Sequence, residues 1–318
     1  VQGADMANFL LRRLLTTLLV LLGVSFVVFM IIHMVPGDPV RIMLGLQADQ
    51  AKVEEIRRMM GFNRPLIVQY GDWLWSALHG DLGESFITGA SVGPAVAERL
   101  PATLSLALAG LTIALVIALP AGVISALRPG SLIDYVAMFF SQIGVSLPDF
   151  WLGILLILIF SLGLGWLPPS GYASPFEDLG GWLSHLVLPA MTIGLITASI
   201  LTRFIRSAVL EVLHQNYVRT ARAKGLPERR VINRHVMLNA AIPIVTIVGL
   251  QMASLLGGVI IVEVIFAWPG LGRLALDAVV RRDYPMVQGA VLLVALTFAV
   301  INVLVDLLYA YLDPRIKV

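Results

Sequence analysis

A basic stretch between two long apolar runs decides how this chain is organised: EVLHQNYVRTARAKGLPERRVINRHVMLNAAIP, from Glu211 to Pro243. The capping and helix-breaking residues in this stretch predict a short helix. Asn216 is a suitable N-cap, Gly225 suits the left-handed position just past the end, and Pro227 prevents the helix from continuing. Arg222 falls in the last turn, where a cation interacts favourably with the helix dipole. We therefore predict a helix of one to two turns that stands apart from the apolar segments.

The composition predicts an integral membrane protein. Hydrophobic residues make up 58% of the chain, charged residues only 13%, and the mean hydropathy is +0.89. A water-soluble fold of this length needs less apolar sequence for its core. The net charge of +2 is too small to indicate a nucleic-acid partner. With no cysteine, the chain offers no disulfide framework, thiolate nucleophile or cysteine-based metal site.

Six apolar segments are long enough to cross roughly 30 Å of hydrocarbon as helices. They lie near Phe9 to Ile32, Thr103 to Leu127, Ile133 to Leu164, Leu186 to Thr202, Ile244 to Phe266 and Val287 to Tyr311. The third exceeds a simple span, and Pro148 with Asp149 inside it predicts a bend or a polar break. We expect an all-α, polytopic fold with one membrane domain over residues 6–318, and residues 1–5 are expected to be a cloning remnant before Met6.

The distribution of Lys and Arg predicts the orientation in the membrane. Basic residues lie at the start of the first span, after the second span, at the end of the chain and throughout a loop predicted over residues 203–243. They are Arg12, Arg13, Arg128, Arg315, Lys317, Arg203, Arg206, Arg219, Arg222, Lys224, Arg229, Arg230 and Arg234. Both termini and this loop are therefore predicted to be cytoplasmic, although Arg273, Arg281 and Arg282 run against the rule. Residues 33–100 then form an external cap, with an amphipathic helix from Asp49 to Met60.

The sequence lacks the common motifs of catalytic sites. None of its lysines ends a G-x-x-x-x-G-K-[ST] phosphate loop, and it contains neither H-E-x-x-H nor G-x-S-x-G. We expect no catalytic residue and no resident metal, so any ATP is handled by other subunits. A nickel or zinc relay through His33, His79 and His185 is conceivable, but ordinary hydrogen-bonding histidines are the favoured interpretation.

A series of motifs runs in order through nearly the whole chain from Met6. They are HMVPGDP (33–39), GDLGESF (80–86), LPATLSLA (100–107), SLPDFWLG (146–153), YVRTARAKGL (217–226), FAWPGLGRL (266–274), RRDYPMVQG (281–289) and VDLLYAYLDPRIK (305–317). Together, at these spacings around six spans, they resemble the permease subunits of ABC importers for dipeptides, oligopeptides, nickel or glutathione.

The resemblance implies the fold of a type I ABC importer permease in a bacterial inner membrane. It implies a second, homologous permease, two ATPase subunits that bind ATP and magnesium, and an extracytoplasmic substrate-binding protein. The basic stretch then resembles the coupling element that docks on an ATPase. Gly225 and Ala221 match the general signature of that element, Arg219 replaces its glutamate, and its closing Leu-Pro is absent. The implied coupling residues are Glu211, Tyr217, Arg219, Thr220, Ala221, Arg222, Ala223, Lys224, Gly225, His235 and Asn239.

Several alternatives remain open on the residues alone. The basic stretch is also compatible with a mere topology signal. Gln251, Ser254 and Glu263 are candidates to line a translocation path, and helix packing with a structural ion pair explains them equally well. Arg281, Arg282 and Asp283 offer a local charge network on an external surface that the resemblance implies for docking the binding protein. An ion-coupled secondary transporter lacks a visible carboxylate relay or inverted repeat, and an intramembrane enzyme lacks a nucleophile–base constellation.

Overall fold

The chain folds into helices, as its composition predicts. The computed structural model describes residues 2–34, 39–44, 49–59 and 61–312, with no β-strand in those ranges. In chain order the elements are α1 (Gln2–Met34), α2 (Pro39–Leu44), α3 (Gln50–Met59), α4 (Leu66–Leu78), α5 (Val92–Ala97), α6 (Leu100–Leu127), α7 (Leu132–Ser146), α8 (Asp149–Leu156), the π-helix π1 (Ile157–Gly163), α9 (Leu179–Leu213), α10 (Asn216–Ala223), α11 (Glu228–Arg230), the π-helix π2 (Val231–Met237), α12 (Leu238–Gly258), α13 (Ile260–Ile265), α14 (Leu271–Arg281) and α15 (Tyr284–Leu312).

The candidate membrane spans agree with the sequence prediction in number when the bent pair counts as one span, and they overlap the predicted segments without sharing all their bounds. Within the described part of the chain, 5 helices are long and apolar enough to cross a membrane, and a bent helix pair brings the total to 6 if it forms one span. The pair is α7 with α8 and π1, which meet at an angle of 106°. Leu147 is extended, with φ −85° and ψ 131°, because a residue before proline avoids the helical region. The predicted bend at Pro148 is thus confirmed.

The fourth span is longer than its apolar core. We predicted a span from Leu186 to Thr202 and a loop from residue 203, whereas α9 runs from Leu179 to Leu213. Asp178 begins this helix by accepting a hydrogen bond from the Gly181 backbone at 2.8 Å. Arg203 and Arg206 therefore lie on α9 and not in the loop. The prediction was too short because a helix can continue into polar sequence as long as its backbone bonds are kept.

The chain divides into two compact units. One contains the residues up to Thr103 together with Pro269–Ala299, and the other contains Leu104–Trp268 with the segment from Val300. The single membrane domain expected over residues 6–318 stays a prediction. In the predicted cap, α3 confirms the helix expected from residue 49, while residues 35–38, 45–48 and 60 lie outside the described residues. Arg315 and Lys317 also lie outside them.

In the first unit, motifs far apart in sequence meet. The Ser85 hydroxyl and the Phe86 backbone N–H, from GDLGESF, both donate to the buried carboxylate of Asp283, from RRDYP. The Leu271 N–H donates to the Thr103 hydroxyl at 2.8 Å, which joins LPATLSLA to FAWPGLGRL. The sequence predicts a local charge network of Asp283 with Arg281 and Arg282, whereas the described hydrogen-bond partners of the Asp283 carboxylate are this hydroxyl and this backbone N–H.

The second unit packs α6, α7 and α9 very closely. Gly122 on α6 leaves room for α9, since a Cβ there would lie 2.9 Å from the Thr202 carbonyl oxygen. Gly144 on α7 leaves similar room for Ser199. Small residues allow helices in lipid to approach until their backbones nearly touch. The buried cluster of this unit extends from α6 and α9 to α10, π2 and α12, and so joins the spans to the basic stretch.

Candidate functional site

Helix α10 is the short helix predicted in the basic stretch. Its end confirms the prediction: Lys224 is the C-cap, Gly225 follows with φ +74°, and Pro227 begins the next element. Its start differs, because Gln215 occupies the N-cap position without a side-chain hydrogen bond, and Asn216 is already helical. The prediction of Asn216 as the cap was wrong by one position.

One face of α10 is seated on the protein itself. Val218 is 0% exposed and Ala221 is 6% exposed. They lie three residues apart, which places them on the same side of a helix. Both belong to the buried cluster that includes Val209 of α9 and Val231 of π2. The side chain of Ala221 therefore points into this cluster and holds α10 to the rest of the protein.

The opposite face of α10 is exposed and basic. It consists of Tyr217, Arg219, Thr220, Arg222, Ala223 and Lys224, which we call the basic face. Glu211 is also exposed, in the last turn of α9. The two buried residues hold α10 against the rest of the protein, and its exposed side is accessible to a partner.

The turn after α10 is braced by a bidentate ion pair. Arg222 Nε donates to Glu228 Oε2 at 3.1 Å and its Nη2 donates to Oε1 at 2.6 Å. The hydrogen bond to Glu228 raises the pKa of the Arg222 guanidinium, which therefore stays charged. An exposed pair of this kind contributes at most about 1 kcal/mol, so its main effect is to fix the geometry between Gly225 and Glu228.

His235 lies on π2 and Asn239 lies on α12, on either side of the point where π2 passes into α12. The Asn239 amide donates to the His235 carbonyl oxygen at 2.7 Å. A π-helix widens the backbone hydrogen-bond ring by one residue and is frequent at functional sites, and this amide supplies an additional donor to a carbonyl there. Asn239 is exposed and His235 is half-buried, and π2, which carries His235, packs against α10.

The candidate path residues do not share one environment. Gln251 is half-buried and Ser254 is exposed, both on α12. Glu263, on α13, is 0% exposed. Its side chain therefore does not line an open passage in this conformation, and the prediction for Glu263 is corrected. The sequence could not show this, because burial depends on which neighbours cover a helix face.

The histidines are engaged with their own helices. Nδ1 of His79 lies 2.8 Å from the Trp75 carbonyl oxygen, and Nδ1 of His185 lies 2.7 Å from that of Gly181. The side chain of His33 lies outside the described residues. Across the part of the chain that the structure describes, no three metal-ligating side chains come together.

A partly buried ion pair near the basic stretch is not predicted from the sequence. Asp134, in the first turn of α7, accepts from Arg206 Nε at 2.7 Å and from Arg206 Nη2 at 2.8 Å. The Ser125 hydroxyl and the Gly130 N–H donate to the same carboxylate. The available signal was Asp134 itself, three residues after the N-cap Ser131, but Arg206 was assigned to a loop, which hid the pairing.

Known families match almost the entire chain. The model of the binding-protein-dependent transport system inner membrane component matches residues 118–318, and its N-terminal counterpart matches residues 6–107. The chain is 42% identical to a putative peptide transport system permease protein of Brucella abortus, over 98% of this chain and 99% of that protein. It is 42% identical to the oligopeptide transport system permease protein AppB of Bacillus subtilis, over 98% and 100%. It is also 42% identical to the glutathione transport system permease protein GsiC of Escherichia coli, over 98% and 99%.

Solved structures share the fold. The MetNI methionine ABC transporter in an inward-facing conformation contains a chain that matches with a TM-score of 0.55 and 18% identity, covering 69% of this chain and 96% of that chain. An amino acid ABC transporter matches with a TM-score of 0.53 and 16% identity, covering 69% and 94%. At such low identity the likeness concerns the arrangement of helices alone.

Proposed function

This chain belongs to the family of binding-protein-dependent transport system inner membrane components, and we propose that it carries dipeptides or short oligopeptides as half of a translocation pathway. Family members are the non-catalytic permeases of ABC importers in the bacterial inner membrane. Other subunits therefore carry out the covalent chemistry, and this chain contributes to transport through the movement of its helices.

The observation that carries the proposal is the seating of α10. Val218 and Ala221 fix it to the buried cluster, while the basic face stays exposed. A helix held in this way moves together with the spans that support it. The exposed Arg219 and Lys224 can form charge-assisted hydrogen bonds with carboxylates at the rim of a partner. A helix arranged in this way is suited to pass the movement of a subunit outside the membrane on to the spans.

The proposed assembly contains this permease, a second homologous permease, two ATPase subunits and an extracytoplasmic substrate-binding protein. ATP and magnesium are bound by the ATPases. Their closure draws the two coupling helices together, and the attached spans alternate the pathway between its two sides. Glu211, His235 and Asn239 complete the proposed coupling region around the basic face.

Reversing one charge on the basic face tests the ATPase contact. We expect Arg219→Glu to lower the amount of ATPase that co-purifies with the permease by at least about tenfold, because like charges across an interface repel. The measurement is co-purification from membranes at low and high salt, normalised to the permease. Arg58→Glu is the matched control, since Arg58 is exposed on α3 in the predicted external segment. Equal ATPase retention in both variants would remove the coupling assignment.

The cargo is tested on the cognate binding protein. In this proposal an extracytoplasmic binding protein selects the cargo. We therefore expect calorimetry to show that it binds di- to tetrapeptides with a micromolar or lower Kd, which corresponds to a binding free energy of about −8 kcal/mol or a more negative value. Glutathione and nickel are titrated in parallel. Tighter binding of either one would replace the peptide assignment and leave the permease role intact.

A further inference from the structure

Two polar contacts one heptad apart attach α7 to α9, beside an exposed and longer contact of 3.4 Å between Arg203 and Gln142. Asp134 receives Arg206, and the Ser141 hydroxyl donates to the Ser199 carbonyl. The two contacting residues are seven positions apart on α7 and seven positions apart on α9. The contacts therefore lie two turns, or about 10 Å, apart along an antiparallel helix pair. From residue 132 to residue 140, Asp134 is the buried position, and most others are exposed.

Polar contacts of this kind strongly influence how helices associate within a membrane. Apolar side chains gain little from leaving lipid for another helix, so packing and polar contacts determine how helices associate. The exposed Leu132, Tyr135 and Phe139 make the outer face of α7 apolar and compatible with many registers. A one-residue slip of α7 would separate Asp134 from Arg206 and leave a buried charge without its partner, which is strongly unfavourable. The ion pair therefore selects one register.

The ion pair also lies close to the basic face along the chain. Arg206 is two turns from the end of α9 at Leu213, which is about 10 Å. Only His214 and Gln215 then separate α9 from α10. At its other end, α7 leads into the 106° bend and α8, which packs against α9 and α13. Arg206 therefore lies on a short route along the chain from α10 to α7.

We propose that Asp134 and Arg206 are positioning residues that keep α7 moving with the coupling helix, so that ATP hydrolysis is converted into transport. This role rests on the proposed function of α10. Ser125 and Gly130 support it by binding the same carboxylate, which ties the α6–α7 turn to the pair. The pair touches neither cargo nor ATP in this proposal, and it acts by holding two helices in one register.

The experiment measures cargo molecules transported per ATP hydrolysed by the complete transporter in proteoliposomes. We expect Asp134→Asn to lower this ratio by about tenfold while ATPase retention stays normal, in line with the size of measured couplings between sites. Arg206→Gln should lower it similarly, and the double variant should be no worse than either single variant. Asp72→Asn is the matched control, since Asp72 pairs with Arg64 at an exposed position and should leave the ratio unchanged.

The outcomes separate this role from plain stability and from the proposed function. A purely structural pair would lower transport and ATP hydrolysis together, in proportion to the amount of folded complex, and that result overturns the inference. Additive losses in the double variant overturn it as well. If Asp134→Asn fails to assemble, the ratio of cargo transported to ATP hydrolysed is measured on Arg206→Lys instead. That variant keeps the charge but loses the bidentate geometry. Failure of the wild-type permease to retain ATPase would instead reject the proposed function.

Discussion

Replacing Val218 with Asp is expected to abolish stable ATPase association while the membrane spans remain folded. Val218 is 0% exposed and lies in the cluster that seats α10. An unpaired carboxylate buried there costs about 3–5 kcal/mol, which α10 can avoid by leaving its seat. A cost of this size lowers the population of seated helix by more than about a hundredfold. The measurement is ATPase co-purification together with cargo uptake, both normalised to the permease present in the membrane.

A carboxylate elsewhere in the same loop should have no such effect. Gln215→Asp places it at the exposed N-cap position of α10, where an acidic side chain favours the start of a helix. This variant should keep both ATPase and uptake. Normal ATPase association in Val218→Asp would mean that the seating of α10 does not matter, and the argument for a rigidly held coupling helix would fail.

Local backbone signals were the part of this fold that the sequence predicted well. Gly225 ends α10 because glycine adopts positive φ without strain, and Pro148 breaks the third span because it restricts the residue before it. Both effects depend on one or two residues. The spans were found for a similar reason, since a continuous apolar run is itself a local signal.

The unpredicted features depend on which surfaces come together. Asp134 and Arg206 are 72 residues apart, and their pairing follows from the packing of α7 on α9. Ala221 and Glu263 were placed correctly on helices, but their burial depends on neighbours that no local pattern reveals. The sequence therefore predicted where the short basic helix lies, and it could not show which residues of that helix are buried.

The second large effect is expected at Asp283, where two distant motifs meet. Its carboxylate is 5% exposed and accepts from the Ser85 hydroxyl and, at 3.1 Å, from the Phe86 N–H. Asp283→Ala leaves both donors without this acceptor, and each unsatisfied buried group costs about 1–3 kcal/mol. The turn from Gly83 to Ala90 should then detach from the start of α15. We expect faster hydrogen exchange and proteolysis in that turn, and lower transport if the binding protein docks nearby.

Two further variants show whether the lost acceptor is the cause. Asp283→Asn keeps one carbonyl oxygen as an acceptor, so its exchange rates should fall between those of the wild type and Asp283→Ala. Asp277→Ala removes the same side chain from an exposed position on α14 and should change nothing in the turn. Because Ser85 also accepts from the Ile87 and Thr88 backbone N–H groups, the turn keeps its internal bonds and should loosen as a unit. Unchanged exchange of the Phe86 N–H in Asp283→Ala would show that this carboxylate does not hold the two motifs together.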